Sequence, residues 1–181
     1  MIEYTLCRSR RKTLSIQITP RGEAVVRCPL RMPETAVRAF VESKASWMEK
    51  KIREMANVPR LPALTKGEIG ELADSAKEDL TRRVAYFAPL VGVDYGRVTI
   101  RSQKTRWGSC SGKGNLNFNC LLMLAPGEVR DYVVVHELCH RKEMNHAPRF
   151  WAEVERVLPH YRIQRQWLKD HGTELLTRLE R

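Results

Sequence analysis

The chain has 181 residues, 43% of them hydrophobic, enough to bury a core and to exclude an extended disordered chain. Lys and Arg number 32 against 21 Asp and Glu, a net +11 of which +7 falls in the first sixty residues, so nucleic acid or a nucleotide is a candidate partner that charge alone does not establish. No apolar run approaches the ~20 residues that span a bilayer, no basic-then-apolar start marks a secretory signal, and the five cysteines form no C-x-x-C pair, so we read reduced thiols, a cytoplasmic protein and no membrane partner.

The first thirty residues read as a small antiparallel sheet. Leu14, Ile16 and Ile18 alternate with polar residues, Pro20-Arg21-Gly22 is a turn signal, and Ala24 to Cys28 is the next strand. The tightest basic cluster, Arg8, Arg10, Arg11 and Lys12, reads as a hairpin tip. Pro33 opens a helical segment to about residue 57, with Val37, Phe40, Val41, Trp47, Met48, Ile52 and Met55 near one core-facing stripe. Pro59, Pro62, Gly67 and Gly70 mark a break, dividing a basic N-terminal region, 1–60, from a larger domain, 61–181. Beyond it the pattern predicts a helix over 71–90, a strand over 98–101, a polar loop over 102–114 and a strand over 115–119. Helices follow at 128–143, 148–158 and 161–170. Strands early and helices late predict an α+β fold.

The helix at 128–143 carries His136-Glu137-Leu138-Cys139-His140, an H-E-x-x-H sequence. Residues four apart share a helix face, so the two imidazoles converge on one ion, and Zn²⁺ suits nitrogen donors of this kind. Glu137 projects beside the ion, placed to accept a proton from attacking water. His146 follows His140 by six residues, the spacing of the third ligand in H-E-x-x-H-x-x-G-x-x-H zincins. Glu143 stands where those proteins have Gly, so the turn must differ, and Asn145 is the nearest residue that tolerates a left-handed backbone. Cys139 lies inside the motif and reads as a buried thiol. Arg106, Arg149, His160 and Tyr161 are candidates for substrate or oxyanion contacts. Asn117 and Asn119, on one face of a strand, are candidates to satisfy backbone groups or to orient a ligating His. Trp107 and Cys110 read as packing residues, as do Phe150, Trp151, Val154 and Val157.

Thr105-Arg106-Trp107-Gly108-Ser109-Cys110-Ser111, Asn115 to Asn119, Ala125-Pro126, Tyr132 to His140, Asn145-His146 and Phe150-Trp151 together resemble the YgjP-like metallopeptidase family, a zincin-like group related to the SprT-like proteins. The resemblance covers about residues 97–168, with the first sixty residues matching more loosely. It implies one Zn²⁺ per chain held by His136, His140 and His146, Glu137 as general base, and protein or peptide substrates. It also implies a minimal zincin fold, a small sheet packed on the active-site helix, behind an N-terminal β-rich extension and helix. Two alternatives keep the metal: a nucleotide or phosphoanhydride hydrolase selected by the basic surface and Arg106, or a protease recruited to nucleic acid.

Overall fold

The computed structural model describes residues 2–19, 22–57 and 61–179, and the chain divides into two compact units, Met1–Pro59 and Arg60–Arg181. The turn proposed at Pro20-Arg21 and the break at Pro59 lie outside the described residues. The described residues form a mixture of small sheets and six α-helices.

In the first unit, strands β1 (Tyr4–Ser9), β2 (Ser15–Ile18) and β3 (Ala24–Pro29) form a sheet in the order β1-β3-β2. β2 and β3 are antiparallel, Ile16 opposite Val26, but β1 runs parallel to β3, Leu6 opposite Val26. The expected all-antiparallel sheet is therefore corrected. Residues 10–14 leave β1 beside Pro29 and re-enter beside Arg27 on the other flank of β3. Of the basic cluster, Arg10, Arg11 and Lys12 lie on that crossover and Arg8 lies in β1, so it is not a hairpin tip. The single helix expected over 33–57 is two, α1 (Glu34–Ser43) and α2 (Ala45–Ala56), broken at Lys44, whose φ of −112° and ψ of 6° leave the helical region. The break resets the helical phase. Val37, Val41 and Met48 stay in the core against Ala24, Val26 and Cys28, whereas Trp47, expected on the same stripe, is exposed.

The second unit opens with α3 (Lys66–Val91), longer at its start than the sequence pattern predicts. Gly67 and Gly70 do not break it because Thr65 and Glu68 form a reciprocal capping box: the Glu68 N–H donates to Thr65 Oγ1 and the Thr65 N–H to Glu68 Oε2. Gly92, at φ +80°, closes the other end in the left-handed conformation that glycine adopts freely. Strands β4 (Val98–Arg101), β5 (Gly108–Cys110) and β6 (Leu116–Asn119) form a second sheet ordered β4-β6-β5. β4 is parallel and β5 antiparallel to β6. β5 lies inside the segment read as loop; three residues with no apolar alternation leave no periodic trace.

Helix α4 (Gly127–Cys139) runs through the middle of this unit, with α5 (Pro148–Val157) and α6 (Tyr161–Thr177) packed around it. Val129, Tyr132, Val133, Val134, Val135, Glu137, Leu138 and Cys139 are all buried, so α4 is enclosed nearly all round. Leu80, Val84, Leu116, Phe118, Phe150 and Val154 complete the core. Asp79, 8% exposed, ties α3 to α4. Its Oδ2 accepts from Arg83 Nε at 2.7 Å and from Arg130 Nη1 at 3.0 Å, and Arg83 also pairs with Asp131. α6 runs past the predicted 161–170 to Thr177. Its Gly172 lets the Trp107 indole approach so closely that a Cβ would stand 3.2 Å from the ring nitrogen.

Candidate metal centre

His136 and Glu137 lie in the last turn of α4 and His140 is its C-cap, so one helix end aims both imidazoles to one side. The chain then turns without any left-handed residue; among the described residues only glycines have positive φ. Asn145, the residue that tolerates a left-handed backbone, does not adopt one. Its Oδ1 instead accepts from the Ala147 N–H at 3.1 Å, a local turn that leads into α5. This route brings His146 back. The ring nitrogens His136 Nε2 and His146 Nε2 stand 3.0 Å apart, and one nitrogen from each of His136, His140 and His146 falls within 4.8 Å of the others.

The donor set fits a tetrahedral cation. Bonds of ~2.0–2.1 Å to imidazole nitrogen put two ligand atoms about 3.3 Å apart, close to the His136–His146 separation. Two nitrogens facing each other at that distance need a proton or a cation between them. His140 Nδ1 lies 3.0 Å from the Glu143 carbonyl oxygen, to which a protonated Nδ1 donates, leaving Nε2 with its lone pair for a metal. Burial, followed by the neighbouring charges of His140, His146 and Arg165, holds His136 down at about 3, so its imidazole is neutral as a ligand must be. His146 is lowered too, first by burial and then by His140 and Arg165.

Phe150, fully buried, lies edge-on to His136 and His146 and tilted against His140, with ring centroids 4.6–4.8 Å away. Trp151 supports the third histidine: its indole N–H donates to the His146 carbonyl at 3.1 Å and its ring stacks on the His146 ring at 5.6 Å. Trp151 stacks in turn on Tyr161, and Tyr161 on Tyr132.

Glu137 is 5% exposed. Burial pushes its carboxyl up to about 8, opposed by the positive charge of Arg106. Gly108 of β5 lies directly against it: a Cβ at that position would be 2.6 Å from Oε1 and 2.7 Å from Cγ of Glu137. Only the absence of a side chain leaves the carboxylate its place.

The other sequence candidates are distributed unevenly. Arg106 is exposed and close enough to act on Glu137. Tyr161 is buried in the aromatic stack behind Trp151. Arg149 is exposed on the first turn of α5. His160 lines a separate cavity of about 180 Å³ with Glu128, Asp131, Pro159 and Gln164. The Asn117 amide donates to Ser109 Oγ at 3.3 Å, joining β6 to β5. Asn119 donates to the carbonyls of Gln103 and Arg106, at 2.6 and 3.0 Å, and accepts from the Leu121 N–H. These two side chains therefore satisfy neighbouring strand and loop groups, and neither bonds to a histidine. Cys139 is fully buried with its thiol pushed up to about 12 by burial, and it is not among the clustered donors. Gly108 and Arg165 are site residues that sequence reasoning passed over. Gly108 sat inside the segment read as a polar loop. Arg165 follows Tyr161 by one helical turn, a spacing that means little until the neighbour of Tyr161 is known.

The family described as "YgjP-like, metallopeptidase domain" matches residues 12–74 and 69–171. Among solved structures, the metallopeptidase zymogen abylysin of Pyrococcus abyssi is similar at 24% identity and a TM-score of 0.46, over 50% of this chain and 92% of that one. The metallopeptidase zymogen jannalysin of Methanocaldococcus jannaschii is similar at 21% identity and a TM-score of 0.43, over 50% of this chain and 91% of that one. None of the curated proteins matches. The chain belongs to the YgjP-like metallopeptidase family.

Proposed function

We propose that this metallopeptidase uses one Zn²⁺, held by His136, His140 and His146, to hydrolyse peptide bonds in protein or peptide substrates, with Glu137 as general base. The observation that carries this reading is the convergence of three imidazole nitrogens within 4.8 Å beside a buried carboxylate. A bound zinc ion supplies Lewis acidity, polarising a carbonyl and lowering the pKa of water to roughly 7.

The protein residues do the rest. His140 is oriented by the Glu143 carbonyl and His146 by Trp151. A dication nearby favours the ionised carboxylate of Glu137, offsetting the burial that raises it. Glu137 then accepts the proton of the attacking water at a carboxylate oxygen and releases it to the departing amine. Phe150 and the enclosed α4 keep the back of the site dry, which strengthens each charge interaction there. Arg106, on the Glu137 side, is the candidate for stabilising charge on the substrate oxygen.

Five free thiols, three of them fully buried, support a reducing compartment such as the cytoplasm, and no described helix is long and apolar enough to cross a membrane. The basic first unit supports recruitment to nucleic acid only through its charge.

The test pairs metal analysis with a casein or fluorogenic-peptide assay. Purified protein should hold about one zinc per chain. Glu137→Gln should keep the metal and lose at least about 100-fold in rate. A variant that keeps both refutes Glu137 as the base; protein that binds less than a tenth of an equivalent of zinc refutes the ligand set.

A further inference from the structure

We propose that Arg165 is a specificity-determining residue of this site, a guanidinium that binds a carboxylate of the substrate beside the three histidines; this rests on the peptidase reading above. Arg165 is half-buried on α6, and its guanidinium carbon lies 4.2 Å from the centroid of the Trp151 ring. Trp151 is the residue that stacks on His146 and bonds to its carbonyl, and its ring lies 5.9 Å from that of His136. The guanidinium is therefore within about 10 Å of the His146 ring, a distance that three residues of extended chain cover at ~3.3 Å each.

The other arginines packed into this unit have their partners. Arg83 and Arg130 hold Asp79, Arg141 holds Asp94, and Arg156 holds Glu153 and the carbonyls at the end of α3. Glu155, the acid on α5 that faces α6, is taken by Arg162 at 3.1 Å. Arg165 makes no ion pair or hydrogen bond among the described residues; its contact is the indole face. A guanidinium held over an indole face, with no ion pair or hydrogen bond among the described residues, keeps its N–H donors for a ligand. A fixed planar fork of N–H donors is the geometry that takes a carboxylate through two parallel hydrogen bonds. Reading through Trp151 places the recognised group away from the scissile carbonyl. The carboxylate is therefore an acidic side chain within about three residues of that bond, or a free C-terminus at the same distance.

The test uses the zinc-loaded full chain and three acetylated pentapeptides. One has a central glutamate and an amidated C-terminus, one a central glutamine and an amidated C-terminus, and one a central glutamine with a free C-terminal carboxylate. Binding is followed by calorimetry and by the Trp151 indole N–H resonance, and separates the two sources of carboxylate. At least one carboxylate peptide should bind about tenfold or more tightly than the neutral amide and shift the Trp151 signal. Arg165→Gln should erase the difference with zinc affinity unchanged, and Arg165→Lys, which keeps the charge and loses the fork, should retain part of it. Equal binding of all three peptides, a preference that survives in Arg165→Gln, or a loss of preference accompanied by weakened zinc binding overturns the assignment. Cleavage is measured in parallel with wild type and Glu137→Gln. Carboxylate preference with no cleavage of any peptide would overturn the peptidase reading and leave the carboxylate site standing; cleavage without preference would overturn the carboxylate site alone.

Discussion

Replacing Gly108 by alanine tests the proposed general base, Glu137, without touching it. The added Cβ would lie 2.6 Å from Glu137 Oε1, 2.7 Å from Cγ and 2.9 Å from Cδ, against about 3.4 Å for an ordinary contact. A gap of about 0.8 Å must open. Glu137 supplies most of it, because its carboxylate is the nearest group, although burial denies it an easy escape to solvent. Misplacing a reacting group by ~1 Å costs roughly 100-fold in rate, and overpacking a filled site costs about 1–3 kcal/mol of stability. Alanine's preference over glycine in an extended segment returns up to ~1 kcal/mol of that. The expectation is a folded Gly108→Ala protein with a full equivalent of zinc, a melting temperature a few degrees lower and kcat on a fluorogenic peptide reduced about 100-fold. Zinc content by atomic emission, a thermal melt and initial rates at saturating peptide read the three quantities separately. Wild-type kcat in Gly108→Ala would refute the claim that this glycine holds the position of Glu137; lost zinc would show that the strand supports the histidines instead.

Other perturbations have distinct signatures. His146→Ala removes one of three nitrogens and should weaken zinc at least about 100-fold by dye competition; unchanged affinity would remove it from the ligand set. In metal-free protein His136 and His146 are held below the ordinary histidine value of 6.5, so the folded state resists protonation that the unfolded chain accepts. The stability from their neutrality is complete above pH 6.5 and is lost as pH falls below it, so the chelated protein should melt at lower temperature at pH 5 than at pH 7.5. Asp79→Ala leaves Arg130 without its carboxylate and Arg83 with Asp131 alone, and should cost about 3 kcal/mol. Burial raises the Asp79 carboxyl, but the hydrogen bonds and charges of Arg83 and Arg130 outweigh it and leave the group below its usual range. Its contribution is therefore present above about pH 4 and disappears as pH falls through the lowered value, so the variant and wild-type melting curves should converge in acid.

What could be read in the sequence was local. Helix α4 and its two imidazoles follow from spacing within five residues, because one helical turn places residues four apart together. Buried strand β6 announced itself through Leu116 and Phe118 alternating with asparagine. Features set by partners distant in the chain left no such trace. The direction of β1 depends on a register with β3 twenty residues away, and local alternation is the same in parallel and antiparallel strands. The break at Lys44 depends on the packing of two helices over one sheet, and no proline or glycine marks it. The start of α3 through Gly67 and Gly70 left little trace because two weak helix residues offset its capping box, and the helix is held by the distant packing of Ala76, Leu80, Val84 and Phe87.

The candidate site divides along the same line. Residues proposed to bind a metal ion and to work beside it are constrained in type as well as position, so His136, Glu137 and His140 stand out in the sequence. Residues that hold those three in place are constrained by shape alone. Gly108 is needed for what it lacks, and a glycine in a polar segment looks like any turn. Trp151 looks like one more apolar residue on a helix face, yet its N–H holds the His146 carbonyl and its ring contacts both His146 and the Arg165 guanidinium. The stack Tyr132, Tyr161, Trp151, His146 joins α4, α6 and α5 in one run of near-parallel rings, with interplanar angles of 18°, 13° and 26°. A shift of α6 therefore moves Trp151 and Arg165 together, coupling the position of the third histidine to that of the group proposed to read the substrate. Trp151→Phe keeps an aromatic face but loses the N–H, so it should loosen His146 more than it disturbs Arg165, lowering zinc affinity by about tenfold while carboxylate preference survives. The reverse pattern would mean that the ring face, and not the hydrogen bond, positions the histidine.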